Sequence, residues 1–207
     1  NNFSLFEKYS DYKFNFEGSF RYRLMKEYYP EDYEKVKKYI SEGRWNVAGS
    51  AVDAGDVNVP SPESLFRQFL YGNNYFEDEF GKRSVDVFLP DCFGFGYALP
   101  SIASHSGLIG FSTAKLHWGP AVPVPFDIGK WVGVDGSYLI AALNTPYDDS
   151  VTTDYSNDPG IISRINNNIN KYGIGKIFDY YGARGDIGGA PPASAVELIQ
   201  KAFKSPT

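Results

Sequence analysis

The order of predicted strands and helices is the feature that most limits how this chain can fold. Apolar runs of strand length alternate with segments of helical periodicity, and the longest helical segment begins after Ser61 and ends before Gly81. Ser61 is a suitable N-cap for this helix, and Pro62 suits its first position. Strands that alternate with helices are typical of parallel strands joined by crossover helices. The sequence therefore predicts an α/β fold.

The predicted boundaries follow from hydrophobic periodicity and from the turn residues between periodic segments. The predicted helices cover residues 19–28, 31–42, 61–80, 97–106, 161–172 and 194–204. The predicted strands cover 13–16, 44–47, 84–89, 108–112 and 174–179, with a hairpin at Asp135-Gly136 inside 131–143. We find no internal repeat, low-complexity segment or linker, so we expect residues 1–207 to form a single domain.

Composition and charge exclude several function classes. The net charge of −5 and the pI of about 5.1 argue against a basic surface that binds nucleic acid, and the KVKK segment at 35–38 is the polar side of a predicted helix. No apolar stretch is long enough to predict a membrane span. A single cysteine excludes an internal disulfide framework. A periplasmic or extracellular location is compatible with the sequence, which leaves the compartment and the oligomeric state open.

The loops that follow predicted strands carry the unusual residues, and in parallel α/β folds such loops form the binding sites. Asp91, in FLPDCFGFGY, follows an apolar strand whose exit is restricted by Pro90. Its alternative role is to cap the next turn. Cys92 is either a nucleophile with His105 as its base or a small buried residue.

Other strand-end loops carry further candidates, each with an alternative structural role. Asp186 lies in GARGDIGGAP, and Asp56 lies with Asp53 between a strand and the long helix; all three carboxylates are equally suited to stabilising their own turns. Trp118 and Trp131 are either core residues or platforms for a sugar ring. Paired carboxylates on neighbouring strand-end loops suit glycoside hydrolysis.

Taken together, three ordered motifs resemble the catalytic domain of family 38 glycoside hydrolases, the α-mannosidases. The resemblance covers about residues 10–200, and GDIGGAP at 185–191 is similar to the family's glycine-rich acid loop. The three motifs are VAGSAVDAGDVNVPSPESLFRQFLYG, FLPDCFGFGYALPSIASHSGLIGFSTAKLHW and GVDGSYLIAAL; the matching positions are Asp56, Asn58, Pro60, Glu63, Ser64, Leu65, Arg67, Gln68, Pro90, Asp91, Phe93, Gly94, Thr113, Lys115 and Trp118.

This resemblance implies the N-terminal catalytic domain of a retaining α-mannosidase with a bound zinc, on a parallel seven-stranded β/α barrel that is incomplete in this chain. Asp91 would be both the nucleophile and a zinc ligand, and Asp186 would be the general acid/base. The implied substrate is a mannose-containing oligosaccharide or a glycoprotein glycan, and the residues implied to contact it are Lys115, Asp148, Trp118 and Asp56.

The chain departs from the family pattern in its metal ligands. It contains no His-x-Asp pair, and neither His105 nor His117 lies where the family places a ligand. Because catalytic zinc sites use about three protein ligands, we expect further ligands outside this chain and no mannosidase activity from these residues alone. Two alternatives remain: a metal-dependent carbohydrate deacetylase, and a non-catalytic carbohydrate-binding or interaction module that has lost the metal.

Overall fold

A computed structural model describes residues 2–117, 124–143, 151, 153–180 and 190–204. These residues belong to two compact units, one formed by residues 13–143 and the other by residues 1–12 together with 144–207. The first unit contains every strand of the described part of the chain. Because Asp91 and Lys115 both lie in this unit, it is the part of the fold that positions the candidate site.

Helices and strands alternate along the chain, with mixed α and β content as predicted. The helices are α1 (Asn2–Lys8), α2 (Ser19–Tyr28), α3 (Pro30–Ser41), α4 (Pro62–Phe80), α5 (Leu99–His105), α6 (Pro159–Tyr172) and α7 (Ala193–Lys204). The strands are β1 (Phe14–Glu17), β2 (Trp45–Ala48), β3 (Asp86–Phe88), β4 (Gly110–Ser112), β5 (Ile128–Val132) and β6 (Tyr138–Ala142). Short 3₁₀ turns lie at Lys115–His117 and Tyr155–Asn157.

The strands form two sheets. One contains β1 and β2 in parallel, and the other has the order β3-β4-β6-β5. Strands β3, β4 and β6 run parallel, which confirms the parallel arrangement predicted from the sequence. Strand β5 pairs antiparallel with β6 through the predicted hairpin, where Gly136 has a φ of 83° that favours glycine.

The long helix α4 has the predicted caps and packs closely on the loop that follows β2. The Ser61 hydroxyl accepts a hydrogen bond from the Ser64 amide at 3.2 Å, and Gly81 ends the helix in the left-handed conformation at φ 61°. A Cβ atom at Gly72 would lie 2.1 Å from the carbonyl oxygen of Ser50. Glycine at this position therefore allows α4 to hold the loop that begins at residue 49.

A buried apolar cluster lies between α4, α5 and the larger sheet. Phe111 of β4 contacts Trp131 of β5 edge to face, with ring centroids 4.8 Å apart, so Trp131 packs against the core. The same ring of Phe111 contacts Phe95 at 5.1 Å. The buried members are Ala51, Val57, Leu65, Phe69, Val87, Leu89, Leu99, Ile102, Ala103, Leu108, Phe111, Leu139, Ala141 and Leu143.

The Asp135 carboxylate joins helix α5 to the β5–β6 hairpin. It accepts hydrogen bonds from the Ser137 hydroxyl and the Ser101 hydroxyl, and it pairs with Nε2 of His105 at 2.6 Å. These hydrogen bonds, with Ser137 contributing most, hold the pKa of Asp135 well below its usual range. His105 therefore has a structural partner at the hairpin.

The second unit is helical in its described residues. Asp158 caps α6 by accepting hydrogen bonds from the amides of Gly160 and Ile161 at 2.8 and 3.0 Å. The predicted strand at 174–179 is wrong, because this segment has no strand pairing. Side chains of α6 bond its carbonyl groups instead: Asn168 donates to Lys176 at 2.8 Å, and Arg164 donates to Phe178 at 2.9 Å.

The lysines of α3 lie on its exposed side, as the sequence predicts. Within the KVKK segment Val36 is fully buried, while the lysines Lys35 and Lys38 are exposed. These charges therefore lie on the solvent-facing side of α3.

In the described part of the chain, no helix has the length and apolar character needed to cross a membrane.

Candidate functional site

Asp91 lies at the end of β3 in the larger sheet. The pairing of β3 with β4 continues one residue further, because the Leu89 amide donates to the Ser112 carbonyl at 3.1 Å. Leu89 is buried at 3% exposure, and Pro90 then carries the chain out of the sheet. Asp91 follows at the carboxyl end of the strand with 70% of its side chain exposed. This placement gives a carboxylate that a ligand can reach.

Lys115 is the charged partner of Asp91. Its Nζ atom lies 3.0 Å from Oδ1 of Asp91, and the Lys115 side chain is buried at 8% exposure. The ammonium group also lies 4.7 Å from the centre of the Phe93 ring. Because Lys115 follows β4, the strand beside β3, parallel pairing brings these two residues to the same edge of the sheet.

The pair has a buried cation and an exposed anion, which is an unusual distribution for a surface ion pair. Burying an ammonium group is costly unless an acceptor lies close. Asp91 supplies that acceptor through its Oδ1 atom. The arrangement fixes one carboxylate oxygen and leaves the residue open to solvent, as a group that reacts with a ligand requires.

Cys92 has a structural environment. Its thiol donates to the carbonyl of Gly55 at 2.8 Å, and the side chain packs against the apolar core. Burial, followed by the charge of nearby Asp56, raises the pKa of the thiol to about 11. The contacts favour the alternative role of Cys92 as a small packed residue, because its thiol bonds to Gly55 and His105 pairs with Asp135.

Asp56 and Asp53 stabilise the loop between β2 and α4. Oδ1 of Asp56 accepts the amides of Asn58 and Val59 at 2.7 and 3.2 Å, the turn role that the sequence left as an alternative. Asp53 forms a close ion pair with Arg21 of α2. Contact of Asp56 with a substrate stays a prediction.

Glu17 is a residue of this region that the sequence analysis did not select. It ends β1, its side chain is only 16% exposed, and its Oε2 atom is buried without a hydrogen-bond partner in the described part of the chain. Oε1 lies 3.4 Å from Nη1 of Arg21. Burial outweighs this cation and, with the charges of Asp53, Asp86 and Asp91, raises the pKa of Glu17 to about 7.

The raised pKa predicts how stability depends on pH. Because the pKa of Glu17 is higher in the folded protein than in the unfolded chain, folding favours the protonated side chain. The stability that protonated Glu17 provides is complete below pH 4.5 and is lost as the pH rises through 7. Glu17→Gln, which keeps the neutral shape, should increase the free energy of unfolding by up to about 3 kcal/mol at pH 8 and leave it unchanged at pH 4.5. Urea unfolding in the presence of a chelator at both pH values measures the difference.

Glu27→Gln is the matched control, since Glu27 is exposed on α2. It should change the stability equally at the two pH values. An equal effect of Glu17→Gln at pH 4.5 and pH 8 would contradict the raised pKa.

The described residues do not fit a complete metal centre. In the described ranges no group of three His, Cys, Asp or Glu side chains is arranged to hold a metal ion. Asp91 is the one predicted ligand that the structure describes at the site, and the Cys92 thiol is bonded to the Gly55 carbonyl. The further ligands of the expected metal are therefore to be sought outside these residues.

Three predicted site residues lie outside the described residues: Trp118, Asp148 and Asp186. Their roles as a sugar contact, a second sugar contact and the general acid/base stay predictions. The structure brings together Asp91 and Lys115 and places Cys92 and the loop of Asp56 beside them.

The comparison with known families decides the classification. The profile of the glycosyl hydrolases family 38 N-terminal domain matches residues 1–205. The chain belongs to this family. Family 38 membership confirms the resemblance seen in the motifs around Asp56, Asp91 and Lys115.

Individual relatives agree with the family 38 assignment. The chain is 34% identical over 197 residues to "Alpha-mannosidase G" of Dictyostelium discoideum and covers 17% of it, with 92% of this chain aligned. It is 32% identical over 200 residues to "Alpha-mannosidase" of Saccharomyces cerevisiae, aligning 96% of this chain and 18% of the relative. The chain therefore spans less than a fifth of the length of these relatives.

A solved structure of a family 38 protein from Enterococcus faecalis shares the fold of this chain. It aligns with 97% of this chain and 22% of its own, with a TM-score of 0.65 at 16% identity. At this identity the similarity concerns the fold alone.

Proposed function

We propose that this chain is part of a retaining α-mannosidase that hydrolyses terminal α-mannosidic bonds in oligosaccharides or glycoprotein glycans. The single observation that carries the proposal is the exposed Asp91 carboxylate, which pairs with buried Lys115 at a strand end. Family 38 membership and the two relatives named as α-mannosidases support the substrate class. On this proposal, the parallel strands belong to a seven-stranded β/α barrel.

In the proposed reaction Asp91 acts as the nucleophile. One of its carboxylate oxygens attacks the anomeric carbon and forms a mannosyl ester, while the bond to the leaving oxygen breaks and that oxygen takes a proton from an acid. Asp186 is our candidate for this acid and for the base that later activates water. Water then attacks the anomeric carbon and releases mannose, and Asp91 regains its charge.

Lys115 assists this step by orienting Asp91 and balancing its charge. Its ammonium group lies 3.0 Å from Oδ1, so the negative charge of the free carboxylate is balanced inside the site before the ester forms. The remaining proposed contacts with the sugar come from Asp56, Asp148 and Trp118. We also propose that the protein binds zinc, with Asp91 as the ligand from this chain and the other ligands outside it. A bound zinc would polarise sugar hydroxyls.

The stereochemistry of hydrolysis tests the proposal. The full-length protein should release the α anomer first from an aryl α-mannoside, which proton NMR detects before mutarotation, and metal analysis of the same sample should find zinc. Release of the β anomer would exclude the retaining mechanism. Binding of mannosides without hydrolysis would support the non-catalytic binding module, and release of acetate from an acetylated sugar would support the deacetylase.

A further inference from the structure

Two loops meet next to Asp91, and the contact between them depends on two glycines. The loops are 49–61, between β2 and α4, and 90–98, between β3 and α5. A Cβ atom at Gly94 would lie 2.7 Å from Nδ2 of Asn58, and a Cβ atom at Gly96 would lie 3.3 Å from Oδ1 of the same side chain. A side chain at position 94 would therefore meet the end of the exposed Asn58 side chain, and the carboxamide would have to move.

The loop that carries Asn58 is fixed on its inner side. Val57 is buried in the apolar core at 8% exposure. Oδ1 of Asp56 accepts the Asn58 amide at 2.7 Å, which sets the direction of the chain at residue 58. The Cys92 thiol joins the two loops a second time by donating to the Gly55 carbonyl at 2.8 Å.

The outer side of the loop that carries Asp91 is exposed to solvent, and Lys115 pairs with the Asp91 carboxylate. Asp91 is 70% exposed at its side chain, and Phe93 is 84% exposed. Phe95 is the part of the loop that packs on Phe111, with ring centroids 5.1 Å apart. The carboxylate thus depends on neighbouring loops for its position, and an error of about 1 Å at a reacting group costs on the order of 100-fold in rate.

We propose that Asn58 is a positioning residue: its carboxamide, seated against Gly94 and Gly96, holds the loop that presents Asp91. This inference rests on the proposed function for its effect on catalysis. The loop contact itself is independent of any activity. Asn58 acts through shape, so its contribution depends on the absence of side chains at positions 94 and 96.

A double-mutant cycle in the full-length protein tests this contact with two readouts. Gly94→Ala should push the carboxamide away, lower kcat for an aryl α-mannoside about 100-fold and change KM less than about two-fold. It should also speed alkylation of Cys92, followed by peptide mass spectrometry, about ten-fold, because the loop opens more often. Asn58→Ala alone should shift both quantities in the same directions by a smaller amount.

The double variant Asn58→Ala with Gly94→Ala gives the decisive comparison. The truncated side chain leaves room for the new methyl group, so the double variant should be nearer to wild type than Gly94→Ala in both readouts. Gly175→Ala is the matched control for alkylation, since a Cβ atom there would come no closer than 3.7 Å to its nearest neighbour, the Ile169 side chain. Additive effects of the two substitutions, or a Gly94→Ala variant that behaves as wild type, would overturn the proposal.

The two readouts separate this proposal from the proposed function. If the full-length protein hydrolyses no mannoside, the alkylation rates of Cys92 still decide whether Asn58 holds the loop. If hydrolysis occurs and the alkylation rates are additive, the enzyme assignment stands and the role of Asn58 is rejected.

Discussion

Asp91→Asn should lower kcat/KM of the full-length protein for an aryl α-mannoside by more than about 1,000-fold. The amide cannot form the ester with the sugar, although its oxygen can still accept a hydrogen bond from Lys115. The folded state should therefore persist, and the unfolding midpoint should change little. Steady-state kinetics and a thermal unfolding scan on the same preparation measure the two effects.

Asp78→Asn is the matched control for this substitution. Asp78 is exposed on α4 and lies outside the candidate site, so its replacement should leave kcat/KM unchanged. An Asp91→Asn variant with more than about a tenth of wild-type activity would rule out Asp91 as the nucleophile, because removing a nucleophile costs far more than this.

Lys115→Met should lower kcat about 100-fold with a small effect on stability. The substitution removes the cation that orients Asp91 and balances its charge. The Asp91 carboxylate left behind is 70% exposed and stays hydrated, while the buried site of Lys115 gains an apolar side chain of similar length. We expect the free energy of unfolding to change by less than about 1 kcal/mol.

Lys115→Arg keeps the charge and should retain more activity than Lys115→Met. Lys82→Met is the matched control, since Lys82 is an exposed lysine that follows α4. A parallel loss of activity and stability in Lys115→Met would indicate a structural ion pair and contradict the proposed role.

The sequence predicted those parts of the fold that depend on local signals. The caps at Ser61 and Gly81 and the turn at Gly136 require particular residue types, so the α4 boundaries and the hairpin were confirmed. Asp91 was selected because it follows an apolar strand and Pro90. In contrast, segment 174–179 has a strand-like pattern, and its carbonyl groups are bonded by Arg164 and Asn168 from a helix.

The parts of the site that depend on contacts between distant segments could not be read from the sequence. Glu17 looks like an ordinary polar residue at the end of a short strand. Its burial arises because Gly49, with a φ of 68°, brings the next loop so close that a Cβ atom there would lie 2.9 Å from Cβ of Glu17. Its position directly after the predicted strand 13–16 is the sequence signal that could have selected it.

The pairing of Asp91 with Lys115 also required the strand order. The two residues are 24 positions apart, and only the parallel register of β3 with β4 brings their charged groups to 3.0 Å. The seating of Asn58 against Gly94 similarly depends on how two loops from different strands meet. Motif similarity selected these residues as candidates, whereas the contacts show how they are placed against one another.

The identity of the residue that bonds to the sugar tests the central claim most directly. The full-length protein is incubated with a slow-turnover fluorinated mannosyl donor, and its peptides are then measured by mass spectrometry. Our account predicts one added mannosyl group on the carboxylate of Asp91. A label on another carboxylate, or turnover of the donor without any labelled peptide, would contradict it.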